Sequence, residues 1–497
     1  MDTILDPYVI LGIARDASTE DIKQAYRRVA MRLHPDKNPN VGAVAQLQDI
    51  NAAYELLTDP ERHARYRDSL RKVAGDIPSE FMLRVTPSKR YVQPLEESQV
   101  VYLLAETYTH QSTIEEAETR RQNVRLNLTL LLDRSNSMNG SRLERVKAAA
   151  HQIIDAMGEN DFLSIVTFND FAEVVVEASP VENRALMKAR VAMIRASGGT
   201  EILRGLRLAV EQCRSKRSNR YVNHIIMLTD GNTYGDQPDC LTLADEITLE
   251  GIGISAMGIG QEWNDEFLDK LTSITGGGAE YIMSSSAVQR FLNDHVRNLA
   301  NTFAERLHIS IAPDAEIKLD SAFKLSPRPQ PLTIEKPTIP VGNLQYHKIT
   351  AVLFQLELPP KLPEGFRFIA RISVRGDILL DETIPFIAIS DISIGVSSEP
   401  QSEEPPANVV DALGKLTLYR MQERAREAID RGDAKEATRR LENLATRLLE
   451  QGQEELAQQA LAEARQVAYT STLSDKGRKT LKYQTRSLLL GSGTSNE

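Results

Sequence analysis

Two groups of residues in this chain have the types and spacing to do chemistry. The first is built from oxygen. The strand-like run Leu126-Asn127-Leu128-Thr129-Leu130-Leu131-Leu132 ends at Asp133-Arg134-Ser135-Asn136-Ser137. A second run, Ile225-Ile226-Met227-Leu228, ends at Thr229-Asp230-Gly231, and Gly198-Gly199-Thr200 precedes a helical stretch between them. Asp133, Ser135 and Ser137 put three oxygen side chains on one side of a turn. Asp230 adds a second carboxylate and Thr200 a third hydroxyl. Two carboxylates and three hydroxyls suit a hard cation, magnesium before calcium, with waters or a ligand completing the octahedron. The carboxyl ends of parallel strands are where open α/β sheets bind ligands. A single Asp-x-Ser-x-Ser is as readily a helix cap. Five such residues at successive strand ends favour a metal site.

The second group is His34-Pro35-Asp36, which follows a basic helix. On that helix Ile22, Tyr26, Val29, Ala30 and Leu33 fall on one side, and Lys23, Arg27, Arg28 and Arg32 on the other. The apolar side pairs with Ile50, Ala53, Tyr54 and Leu57 of a third helix. An antiparallel hairpin with a basic outer face results, with the tripeptide in its loop. A charge run is usually a solvated face. A proline-fixed turn at its end changes that balance. No Cys, His or carboxylate cluster accompanies His34, which argues against a metal ligand or general base there.

The elements that must position these residues follow from patterning. Residues 1–72 read as helices. Residues 73–78 read as a linker. The stretch Ala74 to Ser79 contains Gly75 and Pro78 and no apolar period, so a freely moving head is expected. Residues 79–121 are strand-like and broken by prolines. Over 122–304 strand and helix patterns alternate, the mark of a doubly wound α/β domain. Over 305–396 the alternation has period two, which is antiparallel β. Segments 79–121 and 307–394 each have too few strands to close alone, so they should join as one sandwich. Residues 397–407 read as a polar linker, 408–490 as helices packed on a neighbour, and 491–497 as a disordered tail. The fold class is therefore multidomain α/β, with an all-α hairpin, a doubly wound domain, a β-sandwich and C-terminal helices.

The 497 residues carry 69 acidic and 59 basic groups, a net charge of −10. That excludes sequence-independent nucleic-acid coating, which needs a basic excess. Aromatics make up 5% with one Trp, so a base-stacking protein is excluded too. Two cysteines cannot make a disulfide framework, and no run is long enough to span a membrane. A cytoplasmic location is the expectation. Cys213 reads as core. Cys240, after Pro238-Asp239, reads as a partly exposed turn residue. His224 reads as structural. Gly251-Ile252-Gly253 lacks the strand-turn-helix frame of a dinucleotide site.

Residues 1–70 resemble the J domain of DnaJ-type co-chaperones. The resemblance rests on Asp6-Pro7-Tyr8-Val9-Ile10-Leu11-Gly12, on Leu33-His34-Pro35-Asp36-Lys37-Asn38-Pro39, and on Ile50-Asn51-Ala52-Ala53-Tyr54-Glu55-Leu56-Leu57. It implies docking on a DnaK-type chaperone through Lys23, Arg27, Arg28 and Arg32, with His34, Pro35 and Asp36 triggering its ATP hydrolysis. Arginines attract an acidic partner surface, and a proline-fixed loop loses little entropy on binding.

Residues 122–304 resemble the von Willebrand factor A domain with its metal-ion-dependent adhesion site. The motif is met at Asp133, Ser135, Ser137, Thr200 and Asp230. The resemblance implies ligation by Ser135, Ser137 and Thr200, with Asp133 and Asp230 acting through waters and a partner carboxylate at the open position. Magnesium is the expected ion, with manganese or calcium as alternatives. Asn136 stands where many relatives carry glycine. The order of segments resembles bacterial A-domain proteins with β and helical pieces on both sides of the metal domain. The expected function is non-enzymatic: one head recruits and stimulates the chaperone, and the other binds a protein partner bearing an acidic residue. The alternative is an assembly or adhesion-type scaffold in which the J domain is only a tether.

Overall fold

A computed structural model of the chain describes residues 5–73, 81–109, 124–230, 233, 235–260, 263–282, 285–379, 383–399 and 403–488. Among these the N-terminal helices are α1 (Pro7–Leu11), α2 (Thr19–Leu33), α3 (Val41–Thr58) and α4 (Pro60–Val73). Ser18 caps α2 reciprocally: its Oγ accepts the Asp21 amide at 3.2 Å, and the Asp21 carboxylate accepts the Ser18 amide at 3.0 Å. The helix stops at His34, whose backbone is extended because Pro35 disfavours helix in the residue before it. Ile22, Ala25, Val29 and Leu33 of α2 are buried with Ile50, Ala53 and Leu57 of α3. Tyr26 stacks on Tyr54 with ring centroids 4.1 Å apart. Strands β1 (Phe81–Pro87), β2 (Tyr91–Val92) and β3 (Gln99–Thr109) follow.

The next segment holds β4 (Arg125–Asp133), α5 (Ser141–Ala156), β5 (Phe162–Phe168), β6 (Ala172–Pro180), α6 (Arg184–Ala192), α7 (Ile202–Ser215) and β7 (Tyr221–Thr229). It continues with α8 (Gln237–Leu249), β8 (Ile252–Ile259), α9 (Asp265–Ile274), β9 (Ala279–Ile282) and α10 (Ser285–Ala300). Among the described residues the sheet order is β6-β5-β4-β7-β8-β9, parallel except for the antiparallel edge strand β6. β4 is buried over Leu126–Asp133 and β7 over Val222–Thr229, which is why both read as continuous apolar runs. The strand order reverses between β4 and β7. Cys240 is a correction to the sequence reading. It is fully buried on α8 rather than exposed in a turn, because Gln237 and Pro238 open that helix instead of a loop. Burial pushes its thiol upward, so it is an inert core residue.

Strands β10 (Thr302–Pro313), β11 (Lys318–Ser326), β12 (Gln330–Leu332), β13 (Ile339–Gln345), β14 (Thr350–Leu358), β15 (Gly365–Ile378) and β16 (Ile384–Val396) come next. Among the described residues two antiparallel-rich sheets form, β1-β3-β14-β11-β12 and β13-β10-β15-β16-β2. The early strand β3 pairs with the late strand β14 from Thr107↔Thr350 to Gln99↔Leu358. Val101, Leu103 and Ala105 of β3 share one core with Phe354, Ile369 and Ile372.

The J-like helices belong to the same compact unit as this sandwich. Asn38 is buried and donates to the Pro313 carbonyl at 2.9 Å. Buried Gln46 donates to the Ser310 and Arg371 carbonyls at 3.3 and 3.2 Å. Arg371 donates to the Ile10 carbonyl at 2.6 Å, and Ala312 and Ile387 join the helices' own core. A freely moving head was expected from the composition of 74–79. The packed interface replaces that expectation, since small and amide side chains on α3 fit the backbone of β10. The residues 74–78 of the expected linker lie outside the described residues, as does the tail 491–497.

The C-terminal helices are α11 (Ala407–Asp430), α12 (Ala434–Glu450), α13 (Glu454–Thr470) and α14 (Asp475–Leu488). Ala-rich faces of α11 to α13 close on one another through Ala425, Ala428, Ala437, Ala457 and Ala460. α14 is fixed to α9 by charge. Lys482 Nζ contacts Asp265 at 2.6 Å and Asp269 at 2.8 Å, and Arg486 contacts Asp269 at 2.8 Å. Lys479 donates to the Trp263 carbonyl at 2.6 Å and lies over its ring. No helix among the described residues is long and apolar enough to cross a membrane.

Candidate functional site

The turn after α2 is tight. The Lys37 and Asn38 amides both return to the His34 carbonyl, at 2.9 and 2.8 Å. The Asp36 amide donates to His34 Nδ1 at 3.2 Å. The His34 and Asp36 side chains are 53% and 86% exposed. Pro35, Arg27 and Arg28 are exposed, and Lys23 is half-buried. Arg32 differs from the other arginines: its guanidinium lies over the Phe368 ring, 4.6 Å from the centroid. Lys23, Arg27 and Arg28 lie on α2, and the tripeptide at its end is open to solvent. The fourth, Arg32, is shared with the sandwich.

The oxygen-rich group sits at the point where the doubly wound sheet reverses. β4 and β7 are adjacent, with Leu132 paired to Leu228, so Asp133 and Asp230 emerge side by side. Both are fully buried. Asp133 accepts the Ser135 amide at 2.8 Å and the Thr229 hydroxyl at 2.6 Å. Ser135 and Ser137 hydroxyls are 3.0 Å apart, and Ser137 donates to Asp230 at 2.7 Å. Four of the five residues therefore form one hydrogen-bonded chain. Thr200 arrives on a separate loop. That loop is pinned by the Asn136 amide on the Gly198 carbonyl at 3.0 Å, the Ser197 amide on Arg134 at 2.8 Å and the Glu201 amide on Asn169 at 2.9 Å. Asp170 accepts the Gly199 amide at 2.9 Å.

Burial raises the Asp133 carboxyl above its ordinary range; hydrogen bonds from Ser135 and Thr229 oppose this and the neighbouring Asp230 charge adds to it. Two buried carboxylates beside two hydroxyls are the donors a hard divalent cation takes. Among the described residues no group of three or more His, Cys, Asp or Glu is placed to hold a metal, so an ion here would rest on hydroxyls as well as carboxylates.

Sequence reasoning missed the residues that hold this site in place: Thr229, Asn169, Asp170 and Arg142. Thr229 was legible as a hydroxyl beside Asp230. Arg142 was not, since it stands five residues beyond Ser137 at a helix start.

Residues 6–67 match the DnaJ domain family, and residues 127–298 match the von Willebrand factor type A domain family. The chain carries a DnaJ domain and a von Willebrand factor type A domain. Behind them, residues 407–491 match the Sll0103-like, C-terminal alpha-helical domain. The DnaJ domain is 57% identical over 61 residues to the chaperone protein DnaJ of Cyanothece sp., which covers 12% of this chain and 16% of that one. The uncharacterized protein sll0103 of Synechocystis sp. is 28% identical over 344 residues, 66% of this chain and 80% of that one. In fold, the chain is similar to a von Willebrand factor type A protein from Catenulispora acidiphila, with a TM-score of 0.65 at 17% identity over 82% of this chain and 96% of that one. It is also similar to an ArnB paralog from Sulfolobus acidocaldarius, with a TM-score of 0.50 at 14% identity over 82% and 98% of the two chains.

Proposed function

We propose that this protein is a non-enzymatic co-chaperone of the cytoplasm that delivers a bound protein partner to a DnaK-type chaperone. Its DnaJ domain stimulates the chaperone's ATPase, with Lys23, Arg27, Arg28 and Arg32 meeting an acidic surface and His34, Pro35 and Asp36 acting at the contact. Its von Willebrand factor type A domain holds the partner through a divalent ion, magnesium first, at Asp133, Ser135, Ser137, Thr200 and Asp230. A carboxylate of the partner takes the open coordination position.

The observation that carries this reading is the contrast within one turn. Asn38 is 2% exposed against the sandwich, while Asp36, two residues before it, has a side chain 86% exposed. Packing consumes one edge of the DnaJ domain and leaves the His34-Pro35-Asp36 edge open. A loop already fixed by hydrogen bonds loses little freedom when a partner closes on it.

Two measurements on the full-length protein test the proposal. Single-turnover ATP hydrolysis by a DnaK-type chaperone should accelerate with wild type and not with His34→Gln. Capture of partners from an extract of the source cells should require magnesium and fail with Asp133→Ala. Equal stimulation by His34→Gln would refute the first half, and magnesium-independent capture the second.

A further inference from the structure

Arg142 is out of place by local rules. It is the second residue of α5, at the positive end of the helix macrodipole, where acidic residues are the favoured ones. A residue that breaks a local preference usually answers to a site. Its Nη1 donates to Asp230 Oδ2 at 2.5 Å and to the Ser137 carbonyl at 3.3 Å. The guanidinium rests over Gly260, whose φ of +82° is the left-handed conformation that favours glycine. Other arginines of this edge are turned to other carboxylates: Arg134 to Glu173 at 3.5 Å and Arg204 to Glu201 at 2.7 Å.

We propose that Arg142 is a charge-setting residue of the metal centre, trading affinity for the cation against affinity for the partner's carboxylate. This rests on the metal reading above. Asp133 and Asp230 together carry two negative charges, and Arg142 reduces the sum to one. A divalent ion bound there leaves a centre with one net positive charge. Without Arg142 the same centre is neutral. A positive centre in a buried setting draws an anion into its open position, whereas a neutral one is satisfied by water. The same guanidinium repels the incoming ion, so the metal binds less tightly than two buried carboxylates alone would hold it. Arginine suits this task, since its charge is permanent and its planar head is oriented by two acceptors at once. Its position 34% exposed, beside an Asp230 that is fully buried, puts the charge between the site and solvent.

The test uses chelator-treated full-length protein, wild type, Arg142→Gln and Arg142→Lys. Magnesium affinity is measured by titration calorimetry. Manganese with water-proton relaxation then reports displacement of metal-bound water by acetate, the probe for a carboxylate. Arg142→Gln should bind magnesium about tenfold more tightly, as expected for removing a nearby like charge, and should lose the acetate response. Arg142→Lys, which keeps the charge, should behave as wild type in both. Magnesium binding that is unchanged or weaker in Arg142→Gln would overturn the proposal and make Arg142 a brace for Asp230. An acetate response retained by Arg142→Gln would overturn its anion half. No magnesium uptake by wild type would instead refute the metal reading itself, a result distinct from either.

Discussion

Gly42 and the carbonyl oxygen of Ile311 stand so close that a Cβ on Gly42 would meet that oxygen at 1.9 Å. The contact ties α3 of the DnaJ domain to β10 of the sandwich. Gly42→Ala puts two effects in opposition. Alanine favours the helix by about 1 kcal/mol. The overlap with backbone, which cannot rotate away, costs about 1–3 kcal/mol. The second effect should win, so the variant should melt earlier, and amide exchange at 310–312 should quicken. An unchanged melt with unchanged exchange would show that the interface yields without cost.

Asp269 is held between Lys482 and Arg486. Burial pushes its carboxyl up, but the two cations outweigh this and leave it below the ordinary range; Asp265, with Lys482 and Arg478, behaves alike. Because these folded values are lowered, the stabilisation is fully present above about pH 4 and is lost as pH falls through them. Asp269→Asn leaves buried cations short of a partner and should cost about 3 kcal/mol at neutral pH. Trp263, the one tryptophan of the chain, lies against Lys479 and reports the event by its emission in urea. A midpoint equal to wild type would mean that the pairs carry no net weight.

His224 and His295 touch through their Nε2 atoms at 3.2 Å, and His224 also meets the Ser255 hydroxyl at 3.0 Å. Burial, with the Arg328 charge, lowers His224 to about 3 and takes His295 well down too. Both stay neutral in the folded protein while the unfolded chain takes up protons below about pH 6.5. Stability therefore falls as pH drops below that value, by up to about 1.4 kcal/mol per pH unit for each ring. Melts at pH 7, 6 and 5 measure the slope. The double variant His224→Gln, His295→Gln should start lower and fall less steeply. An equal slope would assign the pH dependence to other groups.

Magnesium should raise the melting temperature of the chelator-treated protein, since a ligand bound only by the folded state stabilises it, by about 2.7 kcal/mol at a hundred times its Kd. Ser135→Ala with Ser137→Ala should remove most of the shift. If the double variant gained as much as wild type, the two hydroxyls would be structural only.

Much of this was legible because pattern and packing agree. The continuous apolar runs of β4 and β7 announced a buried parallel sheet, and the residues at their ends fell at its reversal point. Gly432 and Asp433 end one helix and cap the next, and the Asp433 side chain accepts the Glu436 amide at 3.0 Å. What escaped depends on partners distant in sequence. The seat of the DnaJ domain joins Asn38 to Pro313 and Gln46 to Ser310 and Arg371, and nothing in the spacing of residues 38–46 names those partners. Arg142 escaped because a lone arginine at a helix start has no pattern. Cys240 was misread because Pro238 opens a helix as readily as a turn.

The sandwich closes only when β3 meets β14, and 250 residues lie between Leu103 and Phe354, its partner in the ladder. On a ribosome the N-terminal helices emerge first, yet Ser310, Ile311 and Arg371, against which α3 rests, are made some 260 residues later or more. The von Willebrand factor type A segment 125–300 is contiguous and already made by then. Synthesis therefore imposes an order: the DnaJ helices, then the parallel sheet, then the sandwich on which α3 rests. Through most of translation the α3 face of the DnaJ domain is uncovered, and a growing chain shows a chaperone more of that domain than the finished protein does.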